Sequence, residues 1–362
     1  GEHLFGIIMA GGQGTRLRPL TLTRPKPMVE VLGRPVIDYV KEAMVQAGID
    51  SIIVTTGYRG EQLQAHVASW EHDAMEHHQR RISARINQEA TPMGTAGSVG
   101  LLRGEVNQTC VVGSGDSVAS FDIQRLLAQH RAHGSKVTMA LWEVEDPSEF
   151  GIVGLSDHPE GDIDGELRSG FIRRFLEKPR PEEAFSRVIN AGLYIIEPEV
   201  LALIPEGVKF DFSKDLFPLV LEKGWPMYAE TIDGVWFDVG LPRELLRAQS
   251  TLLSEQSRLP FQLPPGEVTP DASFIHADAL NQGDVHRSVI SADTTLEQNA
   301  RVEGSLLMAG CQIKSGAVVK GSVLGQGVVV ESGAYLIDCV VGDDMTVDSN
   351  AHHESVLIPD ES

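Results

Sequence analysis

The chain has 362 residues, 42% hydrophobic and 22% charged, the balance of a soluble globular protein long enough for two domains. A formal net charge of −21 argues against a nucleic-acid or anionic-membrane partner, because phosphate surfaces are bound by basic faces, although local cations can still hold a small phosphorylated substrate. No apolar run approaches the roughly 18 residues of a membrane span. Cys110, Cys311 and Cys339 lie too far apart for a disulfide framework or thiolate metal site, so a cytoplasmic protein with reduced, buried thiols is expected.

The first element is an apolar strand, Ile7-Ile8-Met9-Ala10, that runs into Gly11-Gly12-Gln13-Gly14-Thr15-Arg16-Leu17-Arg18-Pro19-Leu20-Thr21 and is closed by Pro25-Lys26-Pro27-Met28. A buried strand that ends in three glycines among four residues brings backbone N–H groups to a ligand any β-carbon would hold away. Arg16 and Lys26 follow as fixed cations, one a fork of donors and one a point charge. The loop reads as a polyphosphate site, yet it matches neither the dinucleotide fingerprint nor the P-loop.

Farther on, helical spacing covers 35–47, with Val36, Ile37, Val40 and Met44 on one side and Gly48 as the stop. A β-branched strand at 51–55, a helix over 61–75, a strand at 82–87, a helix over 97–102 and a strand at 110–113 come next. This alternation predicts a mostly parallel sheet with helices on both faces and ligands beyond the carboxyl ends of its strands. His66, His72, His77 and His78 lack a completing carboxylate pattern and are expected on a solvated face.

Two acids follow apolar strands directly. Gly115-Asp116 comes after Val111-Val112, and Asp238 ends Gly234-Val235-Trp236-Phe237-Asp238 before Gly240. The competing reading of Asp116 is the cap of an Asx-type turn. Two such acids can hold one Mg²⁺ by single oxygens and leave positions for phosphate and water. Between them, Phe175-Leu176-Glu177-Lys178-Pro179 presents an acid and a base before a proline, which alone would read as a solvated strand end; Asn190-Ala191-Gly192 opens a strand over 193–196.

Over residues 5–248 the sequence resembles the sugar-1-phosphate nucleotidylyltransferases, whose signature is Gly-Gly-x-Gly-Thr-Arg-Leu with a trailing Pro-Lys-Pro and later Glu-Lys-Pro and Asn-Ala-Gly elements. The resemblance implies a Rossmann-like α/β domain in which Gly11, Gly12, Gly14, Thr15 and Gly94 contact the nucleotide and Arg16 and Lys26 its phosphates. It implies Mg²⁺ on Asp116 and Asp238, the sugar against Gly151, Glu177 and Asn190, and the sugar phosphate on Lys178. Where that family has Asn before Gly-Asp, this chain has Ser114. The substrates so implied are an NTP and a sugar-1-phosphate, most similar to the GTP and mannose-1-phosphate pair; UTP or dTTP with glucose-1-phosphate is the alternative, and a non-catalytic regulatory member is the rival class.

A helix from about Leu241 through Leu252 completes a domain over 1–258, and the proline-rich stretch 259–270 reads as a linker. Over 271–362, Gly304, Gly310, Gly316, Gly327 and Gly333 fall on a six-residue grid that breaks at 322 and is offset by one residue beyond it. This predicts a short parallel β-helix, similar to the left-handed hexapeptide-repeat helices appended to many of these transferases. Some such domains are acyltransferases with a catalytic His, and His276, His286, His352 and His353 are available; a structural role is expected. The open end of so short a solenoid needs a cover, hence a homo-oligomer is expected.

Overall fold

The computed structural model describes residues 4–57 and 60–360, so residues 1–3, 58, 59, 361 and 362 of the predicted domains lie outside the described residues. The chain forms two compact units, Gly1–Gly11 with Ile37–Trp236, and Gly12–Val36 with Phe237–Ser362.

The first unit is built on a nine-stranded sheet of β1 (Phe5–Met9), β2 (Ser51–Thr56), β3 (Ser83–Gln88), β4 (Cys110–Ser114), β5 (Val137–Glu143), β6 (Gly151–Ser156), β7 (Ser169–Glu177), β8 (Val188–Ile196) and β9 (Met227–Thr231), in the order β3-β2-β1-β4-β8-β5-β9-β7-β6. β3, β2, β1 and β4 are parallel, as the alternation predicts, with Ile7 and Ile8 opposite Ile53 and Val54 on one side and Val112 and Gly113 on the other. These apolar runs are almost wholly buried, as strands covered on both faces must be. The other half of the sheet is mixed: β8 runs antiparallel to β4 and β5, and β7 antiparallel to β6 and β9. β6 and β7 are joined without a helix of their own, and an antiparallel neighbour needs no helical crossover.

The helices are α1 (Ile37–Gln46), α2 (Glu61–His78), α3 (Gly94–Gly100), α4 (Ile123–Ala132), α5 (Pro198–Leu201), α6 (Phe217–Glu222) and, in the second unit, α7 (Pro242–Ser254). α2 runs three residues beyond its predicted end because Gln79 takes the left-handed cap, its N–H reaching the Ala74 and Met75 carbonyls. α3 starts at Gly94, ahead of the predicted 97.

The expectation for the α2 histidines is corrected for two of the four. His66 Nε2 lies 2.6 Å from Asp38 Oδ1, and His78 Nε2 lies 2.7 Å from Glu42 Oε2. Asp38 and Glu42 are buried on α1, together with Lys41, whose Nζ meets Glu42 Oε1 at 2.7 Å. Buried carboxylates require partners, and the helix-to-helix register supplies them from residues that look solvated in isolation. His72 and His77 are exposed as expected.

In the second unit, the strand Gly266–Val268 pairs antiparallel with Phe274–His276, and a β-helix of three parallel sheets follows. Left-handed φ angles mark its corners at Gly304, Gly310, Gly316, Gly321, Gly327, Gly333, Asp338, Asp344 and Asn350. The third side of each coil is one residue shorter than the other two, so the corner after Gly316 falls at Gly321, which accounts for the break in the grid at 322. Asp and Asn tolerate the left-handed conformation and replace glycine in the last coil.

Inside, Ile313, Val330 and Val347 stack in register. One corner carries a polar ladder instead. Ser273, Ser288, Ser305 and Ser322 are fully buried; each hydroxyl accepts from the backbone N–H of the next rung at 3.0 Å, ending at Cys339, and those of Ser288, Ser305 and Ser322 also donate to a carbonyl two residues back. Every buried polar group on this corner is thus partnered. From α7, Gln249 Nε2 donates to the Ser305 carbonyl at 3.1 Å. All three cysteines are free and buried, as expected, and burial pushes the thiols of Cys110 and Cys311 up to about 12.

Candidate active site

The candidate residues divide between the units, and each group has its own geometry. In the second unit the loop after Gly11 turns at Gly14, whose φ of +67 favours glycine; a β-carbon there would lie 2.8 Å from Thr21 Cγ2 and 3.0 Å from Lys26 Cβ. The Thr21 hydroxyl locks the turn by donating to the Gly14 carbonyl at 2.6 Å. Gly12 is different: only Lys26 Cδ comes within 4 Å of a β-carbon built there. Packing does not require glycine at that position. Open backbone that a ligand can approach is a sufficient reason for it.

Thr15, Arg16 and Leu17 form a short 3₁₀ turn that buries Leu17 and leaves Arg16 exposed. Lys26 lies on another such turn, and its Nζ stands 4.0 Å from Asp238 Oδ1, with half of the Asp238 side chain open to solvent. A β-carbon at Gly240 would fall 3.1 Å from Arg16 Nη2, 3.2 Å from Lys26 Nζ and 3.3 Å from Asp238 Oδ1. The two cations and the acid therefore meet around Gly240. Sequence reasoning noted that glycine only as the turn after Asp238; the pairing of the cations with it is a property of the fold.

In the first unit, β4 ends at Ser114, and Gly115 N–H donates to the Met9 carbonyl at 2.9 Å, so the chain turns out at Asp116 from the carboxyl end of the sheet. Ser114 Oγ donates to Asp116 Oδ1. The departure from the family pattern thus keeps a hydrogen-bond donor on the acid.

The Glu177 segment ends β7, and Gly151 stands opposite Glu177 in the antiparallel register. A β-carbon at Gly151 would fall 2.6 Å from Glu177 Oε2, so the glycine makes room for that carboxylate. Lys178 adopts φ +43, and its N–H donates to the Phe150 carbonyl at 2.8 Å. A non-glycine residue in this region is uncommon and marks a backbone held by its surroundings.

Asn190 does not open its strand, as the sequence suggested, but lies within β8 where the pairing with β5 shifts between Asn190 and Tyr194. Its Oδ1 accepts from Gly192 N–H at 2.7 Å, and Gly192 takes φ +82. That local bond bulges the strand and aims the Asn190 amide off the ladder. Its Nδ2 donates to the Tyr194 hydroxyl at 2.7 Å and lies 3.5 Å from Ser213 Oγ. Tyr194 is buried, which pushes its hydroxyl up to about 12 and keeps it neutral. Sequence reasoning missed Tyr194 and Ser213; the fourth position after Asn190 on a bulged strand carries no signal in the sequence.

Gly94 is required by packing, since a β-carbon at its φ of +77 would lie 2.5 Å from the Phe210 carbonyl. Gly11 ends the first unit's N-terminal strand segment and has nothing within 4 Å of a β-carbon. Among the described residues no three His, Cys, Asp or Glu side chains gather as a metal cluster, and no helix is long and apolar enough to cross a membrane.

The family model for nucleotidyl transferases matches residues 5–255, and the GlmU-like C-terminal hexapeptide model matches 270–358. The chain belongs to the nucleotidyl transferase family. It is 36% identical over 266 residues to the mannose-1-phosphate guanyltransferase of Eremothecium gossypii, covering 72% of this chain and 68% of that protein. It is 34% identical over 267 residues to the mannose-1-phosphate guanylyltransferase catalytic subunit beta of Danio rerio, and 34% identical over 265 residues to the mannose-1-phosphate guanyltransferase of Saccharomyces cerevisiae, with the same two coverages.

Proposed function

We propose that the protein transfers a guanylyl group from GTP to mannose-1-phosphate, releasing pyrophosphate. The observation that carries nucleotidyl transfer is the meeting of Arg16, Lys26 and Asp238 around Gly240 beside an open glycine backbone, and the choice of GTP and mannose-1-phosphate is supported by the names of the relatives. A phosphate oxygen of the sugar-1-phosphate attacks the α-phosphorus in line; that P–O bond forms as the bond from the α-phosphorus to the bridging oxygen of the β-phosphate breaks. The electron pair leaves with pyrophosphate. No protein nucleophile is needed, so catalysis falls to positioning and charge neutralisation.

In this reading Gly11, Gly12, Gly14 and Thr15 present backbone to the nucleotide, with Gly94 at the base. Arg16 takes the charge developing on the triphosphate and Lys26 holds the α-phosphate region. Glu177, Asn190 and Gly151 fix the sugar, and Lys178 steers the attacking phosphate. Asp116 and Asp238 are the residues for Mg²⁺. Their hard carboxylate oxygens suit that ion, and Asp238 is half exposed where a ligand could reach it. When bound, the ion would neutralise charge on the reacting phosphates. The C-terminal β-helix, with Val356 and Leu357 exposed on its last coil, supports assembly into a homo-oligomer, which light scattering at micromolar concentration checks.

Pyrophosphate release across GTP, ATP, CTP, UTP and dTTP, each paired with mannose- and glucose-1-phosphate, tests the assignment. The GTP and mannose-1-phosphate pair is expected to turn over fastest, and Asp116→Ala to abolish it with the fold intact. Fastest turnover of UTP or dTTP with glucose-1-phosphate would move the specificity to the alternative, and no release with any pair would leave the non-catalytic role.

A further inference from the structure

The second unit joins the glycine loop to the β-helix, and one side chain makes several of the contacts between them. Asp343, at a corner within the coil of Asp338, Asp344 and Asn350, receives Arg24 Nη2 on both carboxylate oxygens, at 2.9 and 2.8 Å, and the Thr23 hydroxyl at 2.7 Å. Arg24 is buried, and its Nη1 donates back to the Leu20 carbonyl at 2.9 Å. Asp343 is itself fixed from the solenoid side, where Gln326 N–H donates to its Oδ1 at 2.9 Å. Next to it, a β-carbon at Gly342 would lie 3.2 Å from Pro19 Cβ, so the glycine lets the loop seat against the coil.

We infer that Asp343 is a positioning residue for the phosphate loop, acting through Arg24 and Thr23, and that the β-helix is thereby a working part of the nucleotide site. The inference rests on the proposed nucleotide role of the loop. Its chemistry is that of a two-ended clamp: Nη2 of one planar guanidinium sits on both Asp343 oxygens while Nη1 holds the Leu20 carbonyl, so a rigid group ties the loop's own backbone to the coil, which a lysine's single nitrogen would not do. The clamp fixes the middle of the segment. On one side Leu20 and Thr21 pass the constraint to the Gly14 turn through the Thr21–Gly14 bond; on the other, only Pro25 separates Arg24 from Lys26. Arg16, Arg18, Arg24 and Lys26 crowd one short loop with positive charge, and Asp343 neutralises the buried Arg24.

The test is Asp343→Asn in the full chain. Asn keeps an oxygen for Gln326 N–H but loses the charge and one acceptor for Arg24. Hydrogen exchange of peptides covering 12–28 is expected to accelerate while peptides of β1 and of the inner coils stay as in the parent. The KM for the NTP is expected to rise about tenfold with the sugar-phosphate KM within about twofold, the scale on which sub-ångström misplacement acts. Thr23→Val, which removes the hydroxyl's bonds to Asp343 and to the Leu20 carbonyl and leaves the ion pair, is expected to shift both readouts in the same direction by less, and stands in if the Asn variant does not fold. The exchange readout is independent of turnover, so a parent protein without activity refutes the function and still leaves the clamp measurable. Unchanged exchange and kinetics in both variants would overturn the inference, as would a uniform loss of protection over the whole chain with both substrates weakened equally.

Discussion

Gly240→Ala adds one methyl group where Arg16, Lys26 and Asp238 meet. The added carbon lands 3.1, 3.2 and 3.3 Å from the nearest atoms of those three side chains, each some tenths of an ångström inside comfortable contact. All three atoms are ends of flexible chains, so they yield and the backbone does not. Gly240 does not have a left-handed φ, so alanine is conformationally acceptable there and folding is expected to be unaffected or slightly favoured. Misplacement by 1 Å costs on the order of a hundredfold in rate, so a few tenths spread over two cations is expected to cost about tenfold in kcat/KM for the NTP, or about 1.4 kcal/mol of transition-state stabilisation. The assay is steady-state pyrophosphate release with the NTP varied at saturating sugar phosphate, alongside a thermal melt. A kcat/KM within twofold of the parent, with an unchanged melt, would show that this cluster does not touch the reacting phosphates.

Tyr194→Phe removes the hydroxyl that holds the Asn190 amide, and is expected to raise the KM for the sugar phosphate severalfold while that for the NTP stays put; initial-rate kinetics with each substrate varied in turn decides it. Ser305→Ala breaks one rung of the buried ladder and leaves the Ser322 N–H without its acceptor. A loss of about 1–3 kcal/mol is expected, read as a lower denaturation midpoint at unchanged slope. His130 is buried on α4, with Nδ1 2.7 Å from Thr138 Oγ1, and burial holds its imidazole below the usual range despite Glu197 nearby. The unfolded chain then binds the proton more readily, so this residue's contribution to stability is present above the ordinary histidine pKa of about 6.5 and is lost as pH falls below it. Melting temperatures from pH 7.5 to 5.5 should fall less steeply in His130→Asn than in the parent.

The sequence by itself determined the elements whose signal is local. Apolar runs of β-branched residues fix β1, β2 and β4, glycine stops fix the end of α1, and the six-residue glycine grid fixes the β-helix, because strand alternation, helix capping and left-handed corners are each encoded within a few residues. The loop after Gly11, Asp116 and Asp238 were legible for the same reason: each is a glycine or an acid set directly against an apolar strand. Tertiary structure decided everything that depends on residues far apart in the chain. The antiparallel half of the sheet follows from connections whose direction no local pattern encodes. His66 and His78 left the solvent because α1 offered them buried acids. The bulge that turns Asn190 toward Tyr194 depends on a pairing shift against β5. Gly240 and Asp343 gained their meaning in the same way, since an arginine fork finds its carboxylate, and three side chains their common point, only when segments hundreds of residues apart are brought within bonding distance.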